Sequence, residues 1–175
     1  MLIVILQNEI PMSINVTVAE FARKSGVPVM FNPAPSTEIP TELISCLTYI
    51  SPNEAEAYDM TGIVPKDRES ILSAIEDIGN MGVPFVLMTL GKNGAAYKEG
   101  KNIYFSPCVS CGAPVDPTAA GVPTENSLEF ANCAAGITVS RKGAQTSLPK
   151  LAEVLDIMKI NGYRTDYFSV LNGDD

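Results

Sequence analysis

A doubly wound α/β domain is the fold this sequence predicts, and two observations carry that expectation. Short apolar runs with little alternation suit strands buried on both faces of a parallel sheet. Between them lie amphipathic stretches of helical period, and strand–helix alternation implies a mostly parallel sheet with helices on both faces. A third observation bounds the size. With 175 residues, 46% of them hydrophobic and 18% charged, the chain makes one domain able to bury roughly 70% of its unfolded surface.

The elements follow in order. Residues 2–6 are an apolar run ending in Gln7-Asn8-Glu9, and they read as a central strand. Residues 13–25 read as a helix with Ile14, Val18, Phe21 and Ala22 on its inner face and Gly26 at its C-terminal cap. Residues 27–31 form a second run, ending at Asn32-Pro33. Residues 47–50 form a third, ending at Ser51-Pro52-Asn53-Glu54, and a short helix continues to Gly62. The span 67–81 reads as a helix with Ile71, Ile75 and Ile78 inward. Residues 84–88 are the fourth run, before Thr89-Leu90-Gly91. Segments 95–98 and 103–105 flank Glu99-Gly100-Lys101-Asn102 as an edge hairpin. Two more helices are expected near 126–140 and 148–160. The domain is taken as residues 1–162, with 163–175 a mixed, acidic tail expected to be partly disordered.

Composition excludes whole classes of function. Twelve basic against twenty acidic residues give a net charge of −8, which argues against nucleic acid as a partner. No histidine occurs, so Ser-His-Asp or Cys-His catalysis and histidine metal ligands are excluded. No apolar run approaches the roughly 18 residues of a membrane span. The first residues lack the marks of a signal peptide. Four cysteines do not make a disulfide scaffold, which predicts a cytoplasmic protein. Cys108-Val109-Ser110-Cys111 has no second pair to complete a zinc site and reads as a turn or a redox-labile pair. The sequon Asn15-Val16-Thr17 falls within an expected helix and is discounted.

In an open parallel sheet, ligands bind beyond the carboxyl ends of the strands. Those ends here are polar: Asn8 and Glu9, then Asn32, then Asn53 and Glu56, then Thr89, Gly91 and Gly94. Two readings stay open at each position, a helix cap or a ligand contact. The glycines of Thr89-Leu90-Gly91-Lys92-Asn93-Gly94 suit close backbone approach to phosphate, or a tight turn. Val115-Asp116-Pro117-Thr118-Ala119-Ala120-Gly121 brings tiny side chains to the start of a helical region, where free amides make an anion hole.

Taken together, these stretches resemble the ribokinase-like sugar kinases, the phosphofructokinase-B family, and within it the ribokinases most nearly. The matching residues are Leu6-Gln7-Asn8-Glu9, Phe31-Asn32-Pro33-Ala34-Pro35, the Asn53-Glu54-Ala55-Glu56 motif, Thr89-Leu90-Gly91, Asp116 through Gly121, and Arg141-Lys142-Gly143-Ala144-Gln145. The resemblance implies ATP-dependent phosphorylation of a sugar, ribose to ribose 5-phosphate, with Mg²⁺ and K⁺. It implies that Glu9 contacts sugar hydroxyls and that Asn53 and Glu56 organise Mg²⁺ and phosphate through water. Thr89, Gly91 and Gly94 would line the nucleotide site, with Asn132 near the adenine. The amides of Ala120 and Gly121 would form the anion hole. Asp116, the Thr118 carbonyl and the segment 139–147, with Val139, Gly143 and Ser147, would hold K⁺. Phosphoryl transfer rests on positioning and charge neutralisation, so a site without histidine is adequate to it.

Three departures from the family pattern set the expectation for activity. Val122 stands where the family has the aspartate that deprotonates the attacking hydroxyl, and losing a general base costs roughly 10²–10⁴-fold. Only eight residues separate Gly121 from Phe130, where the family has a full helix and its connection, and Pro123 lacks an N–H. The family's N-terminal half, with most of its sugar contacts, has no counterpart in these residues. The fold expected is therefore a ribokinase-like α/β sheet truncated at its N-terminus, with an open sheet edge that invites a homo-oligomer. The expected function is that of a sugar kinase inactive as this chain. The alternatives are a non-catalytic nucleotide-binding or interaction module and a truncated gene product.

Overall fold

The computed structural model describes residues 2–107, 124–141 and 149–171. Six strands form one open, mixed sheet in the order β1-β2-β3-β4-β5-β6. β1 (Val4–Gln7), β2 (Val29–Asn32), β3 (Tyr49–Ile50) and β4 (Phe85–Thr89) run parallel. β5 (Ala95–Glu99) and β6 (Asn102–Ser106) follow as the expected hairpin, turning at Gly100, which adopts a φ of 58°. Helices α1 (Met12–Lys24), α2 (Thr41–Ile44) and α3 (Glu54–Thr61) with α4 (Arg68–Asn80) connect the parallel strands in turn. α5 (Thr124–Val139) and α6 (Leu151–Ile160) come later. The α/β class and the mixed open sheet stand as expected.

The described residues fall into two compact units. The first comprises Leu2–Thr89 with Ala96–Tyr104. Its core sets Val29, Phe31, Ile50, Val86 and Met88 from the strands together with Ala19, Ala22, Leu43, Ala57, Ile71, Ala74, Ile75 and Ile78 from the helices, all buried. The α4 stripe is the expected one. Asp67 starts that helix by accepting from the Ser70 amide, while Ser70 Oγ accepts from the Asp67 amide.

Two expectations in this unit need correction. β1 is an edge strand rather than a central one: Leu6 is buried, but Ile5 is 62% exposed. The inner face of α1 is Asn15, Ala19 and Ala22, whereas Ile14 and Phe21 are 47% and 73% exposed. Small alanines let the helix lie close on β1 and β2. Asn15 tolerates burial because its amide donates to the Gln7 carbonyl at 2.8 Å. That burial also removes Asn15 as a glycosylation acceptor in the folded chain. α2, a single turn after Pro40, has no periodicity long enough to be read from sequence. The end of α1 does follow the sequence: Gly26, at φ 68°, lets the Val27 amide donate to Ala22 and its own amide to Arg23.

The second unit comprises Leu90–Ala95 and the described residues from Phe105 onward. Cys133, Ala134 and Ile137 of α5 pack with Val154 and Met158 of α6 and with Phe168. Phe168 is fully buried and stacks on Phe130, ring centroids 4.6 Å apart. It belongs to a 3-10 segment, Asp166–Leu171, within the stretch the sequence reads as a tail. The Arg141 guanidinium pairs with Glu153 at 2.5 Å, tying the end of α5 to the start of α6. The hydrogen bond from Arg141 lowers the Glu153 pKa to about 2, with a backbone bond from the Lys150 amide assisting. A depressed carboxylate contributes stability above its ordinary value of 4.5 that disappears as pH falls through about 2. Glu153→Gln should therefore melt below the parent at pH 7, with the difference shrinking between pH 4.5 and pH 2. Paired thermal melts across that range check this.

Candidate functional site

The polar rim expected beyond the parallel strands is present in the first unit. β1 and β2 end in register, Gln7 opposite Asn32. Asn8 continues the pairing, its amide donating to the Ala34 carbonyl and its side-chain amide to the Pro35 carbonyl, both at 2.9 Å. The Ser51 amide donates to Phe31, and the Thr89 amide donates to the Pro52 carbonyl at 3.0 Å. Thus the loops carrying Asn8, Asn32, Asn53 and Thr89 are hydrogen-bonded neighbour to neighbour along one end of the sheet. Glu9 follows directly, exposed, with no ion pair or hydrogen bond among the described residues.

Asn53 and Glu56 form the most fully built part of this rim. Asn53 is the N-cap of α3: its Oδ1 accepts from the amides of Ala55 and Glu56 at 2.9 and 3.0 Å. Glu56 is only 6% exposed. Its Oε2 accepts from the Asn53 amide and its Oε1 from the Asn53 side-chain amide, each at 2.8 Å. This is a capping box, so the plain structural reading of Asn53 holds. The arrangement is also chemically open. Each carboxylate oxygen offers about two lone-pair sites and Asn53 uses one of each, at the positive end of a helix dipole. Rotation of Glu56 is prevented by the same bonds. A fixed carboxylate with free lone pairs fits a hydrated divalent cation.

After β4, Gly91–Asn93 form a 3-10 turn. The Leu90 amide donates to the Gly94 carbonyl at 2.8 Å, and Gly94 adopts φ 93° with ψ −128°, a region essentially reserved for glycine. Glycine at 94 is thus demanded by the turn. In the second unit, Asn132 is buried on α5. Its side-chain amide donates to Ser106 Oγ at 2.6 Å, with the Ser106 and Pro107 carbonyls at 3.5 and 3.3 Å. Asp116, Thr118, Ala120, Gly121, Val122, Gly143 and Ser147 lie outside the described residues, as do Cys108 and Cys111; Val139 is the last residue of α5. Among the described residues no group of three or more His, Cys, Asp or Glu is placed to hold a metal ion. Nor is any helix among them long and apolar enough to cross a membrane.

One contributor to the rim escapes sequence reasoning. Asn15 holds the last carbonyl of β1, while Asn8, expected at the rim, holds the loop after β2. Both keep a buried Oδ1 without a partner. An Asn on the inner face of a predicted helix was the available signal.

Known proteins share this architecture. Residues 2–121 match the pfkB family of carbohydrate kinases. The chain is 33% identical to ribokinase of Haemophilus influenzae, covering 89% of this chain and 55% of that protein. It is 35% identical to ribokinase of Arabidopsis thaliana, covering 91% and 46%. The structure of the Arabidopsis enzyme complexed with ribose and ATP superposes with a TM-score of 0.79, at 35% identity, over 90% of this chain and 55% of that one. The chain spans about half the length of these curated relatives.

Proposed function

Because the chain belongs to the pfkB family of carbohydrate kinases, we propose that it descends from an enzyme transferring the γ-phosphoryl group of ATP to ribose. We further propose that these 175 residues retain nucleotide binding with little or no turnover. The observation that carries this reading is the Asn53–Glu56 box, a buried and oriented carboxylate at the rim where a parallel sheet collects its ligands. Among the relatives, Arabidopsis ribokinase is known in complex with ribose and ATP.

In this account Glu56 would hold Mg²⁺ through water, using the lone pairs that Asn53 leaves free, and Asn53 fixes the carboxylate against rotation. Bound Mg²⁺ would supply neutralisation of the charge on the phosphates. Thr89, Gly91 and Gly94 line the nucleotide, with Asn132 on the adenine side. Ala120 and Gly121 donate amides to the transferring group. By the family resemblance, Asp116, the Thr118 carbonyl, Val139, Gly143 and Ser147 would hold K⁺. Glu9, exposed and unpaired among the described residues, is left to receive sugar hydroxyls. Val122 accepts no proton, so the acceptor hydroxyl has no base among these groups.

A ligand that binds only the folded state raises its melting temperature. ATP or ADP with Mg²⁺ should raise the melting temperature, and ribose alone should leave it unchanged. A shift with ribose and none with nucleotide would reverse the assignment.

A further inference from the structure

A cleft of about 500 Å³ opens in the helical layer of the first unit. One bank is the segment after β2, with Ser36, Thr37, Glu38 and Ile39, joined by Ile44 at the end of α2. The other bank is Asp59 and Met60 in the last turn of α3, with Met81 at the end of α4. Glu9, Asn53, Glu56 and Thr89 are not among the described residues that line it. Its volume lies within the roughly 300–1,000 Å³ of small-molecule sites.

The electrostatics of this cleft have one sign. Each bank carries one carboxylate, Glu38 on the first and Asp59 on the second. Both are exposed, and neither makes an ion pair or hydrogen bond among the described residues. Between Lys24 and Lys66 the sequence has five acidic residues and no basic one. α2, α3 and α4 all bring their C-terminal ends to the cleft, and none has a basic residue in its last turn. α1 and α6, by contrast, carry Arg23 with Lys24, and Lys159, at that position. The negative dipole ends of α3 and α4 are thus left without an offsetting side-chain cation. Apart from two hydroxyls, the remaining lining is apolar: Ile39, Ile44 and Met60 are half-buried, and Met81 is 38% exposed.

We propose that this cleft binds an aliphatic polyamine, with ammonium groups on Glu38 and Asp59 and methylenes against the isoleucines and methionines. Two observations select an elongated organic cation over an inorganic one. First, the carboxylates stand on separate banks, and no three acidic groups among the described residues are placed to hold a metal ion. Second, four apolar side chains give nothing to a hydrated ion, whereas methylene groups leave water on meeting them. Methionine, unbranched and adaptable, suits a flexible chain of this kind. The Ser36 and Thr37 hydroxyls are acceptors for the remaining ammonium N–H groups.

Calorimetric titration of spermidine into the full chain at low ionic strength tests this. No nucleotide is present, so the outcome is independent of how the rim is read. One-to-one binding is expected. Glu38→Gln and Asp59→Asn should each weaken it about threefold, and the double variant about tenfold, the scale of solvent-exposed ion pairs. Both side chains are exposed, so the variants should keep the parent's far-UV circular dichroism spectrum. Glu69→Gln, in the first turn of α4, should bind as the parent does. That control separates a site from general attraction to a chain of net charge −8. Mg²⁺ equimolar with spermidine should not displace it. Absence of one-to-one binding, or equal weakening by Glu69→Gln, would overturn the proposal. So would displacement by equimolar Mg²⁺, or tighter binding of tetralysine, which would give the cleft to a basic peptide.

Discussion

In a coupled assay with ATP, ribose, Mg²⁺ and K⁺, the chain is expected to turn over at least about 10²-fold more slowly than a full-length ribokinase, the lower bound for loss of a general base. The argument is local. Phosphoryl transfer needs the acceptor hydroxyl deprotonated as it attacks, and residue 122 is valine. Val122→Asp alone is not expected to restore turnover. On the proposed reading, Pro123 offers no N–H and only eight residues separate Gly121 from Phe130, so one added acid would not rebuild the anion hole expected from the family. Turnover within about tenfold of a full-length relative, or substantial rescue by Val122→Asp, would contradict this account.

Phe168→Ala should destabilise the second unit by about 3–5 kcal/mol, the range for deleting a fully buried aromatic side chain. Phe168 is enclosed by α5 and α6 and stacks on Phe130, so truncation leaves a cavity lined by Cys133, Ile137, Val154 and Met158. Denaturant unfolding followed by circular dichroism gives the measurement. A loss below about 1 kcal/mol, the scale of an exposed site, would mean that residues after Gly162 behave as a loose tail, as their composition suggests.

The contrast between α4 and α1 explains what the sequence makes legible. In α4 the large residues Ile71, Ile75 and Ile78 are the inward ones, so hydrophobic periodicity and burial coincide. In α1 the large residues Ile14 and Phe21 lie on a flank, and the sheet is met by two alanines and an asparagine. Periodicity weighs hydrophobicity, whereas close helix–sheet contact selects small volume. Burial of Asn15 depends on the Gln7 carbonyl, a tertiary contact invisible in the local pattern. The edge position of β1 is likewise a property of strand order, which the apolar run at residues 2–6 does not encode.

For the rim, position was legible and detailed role was not. Runs ending in Asn8-Glu9, Asn32, Asn53 and Thr89 do gather at one end of the sheet, because parallel strands put all their carboxyl ends together. Whether Asn53 caps a helix or serves a ligand was open in the sequence. The capping box answers the first, and the free lone pairs of Glu56 leave room for the second. The turn at Gly94 likewise needs glycine for its own backbone.

The most direct test of a retained nucleotide rim is calorimetric titration of MgADP into the parent chain and into Glu56→Gln, both below their melting temperatures. The parent should bind, and Glu56→Gln should bind at least about tenfold more weakly, since an amide keeps the shape but loses the charge that holds a hydrated cation. Absence of binding to the parent, or equal affinity for the two proteins, would contradict it.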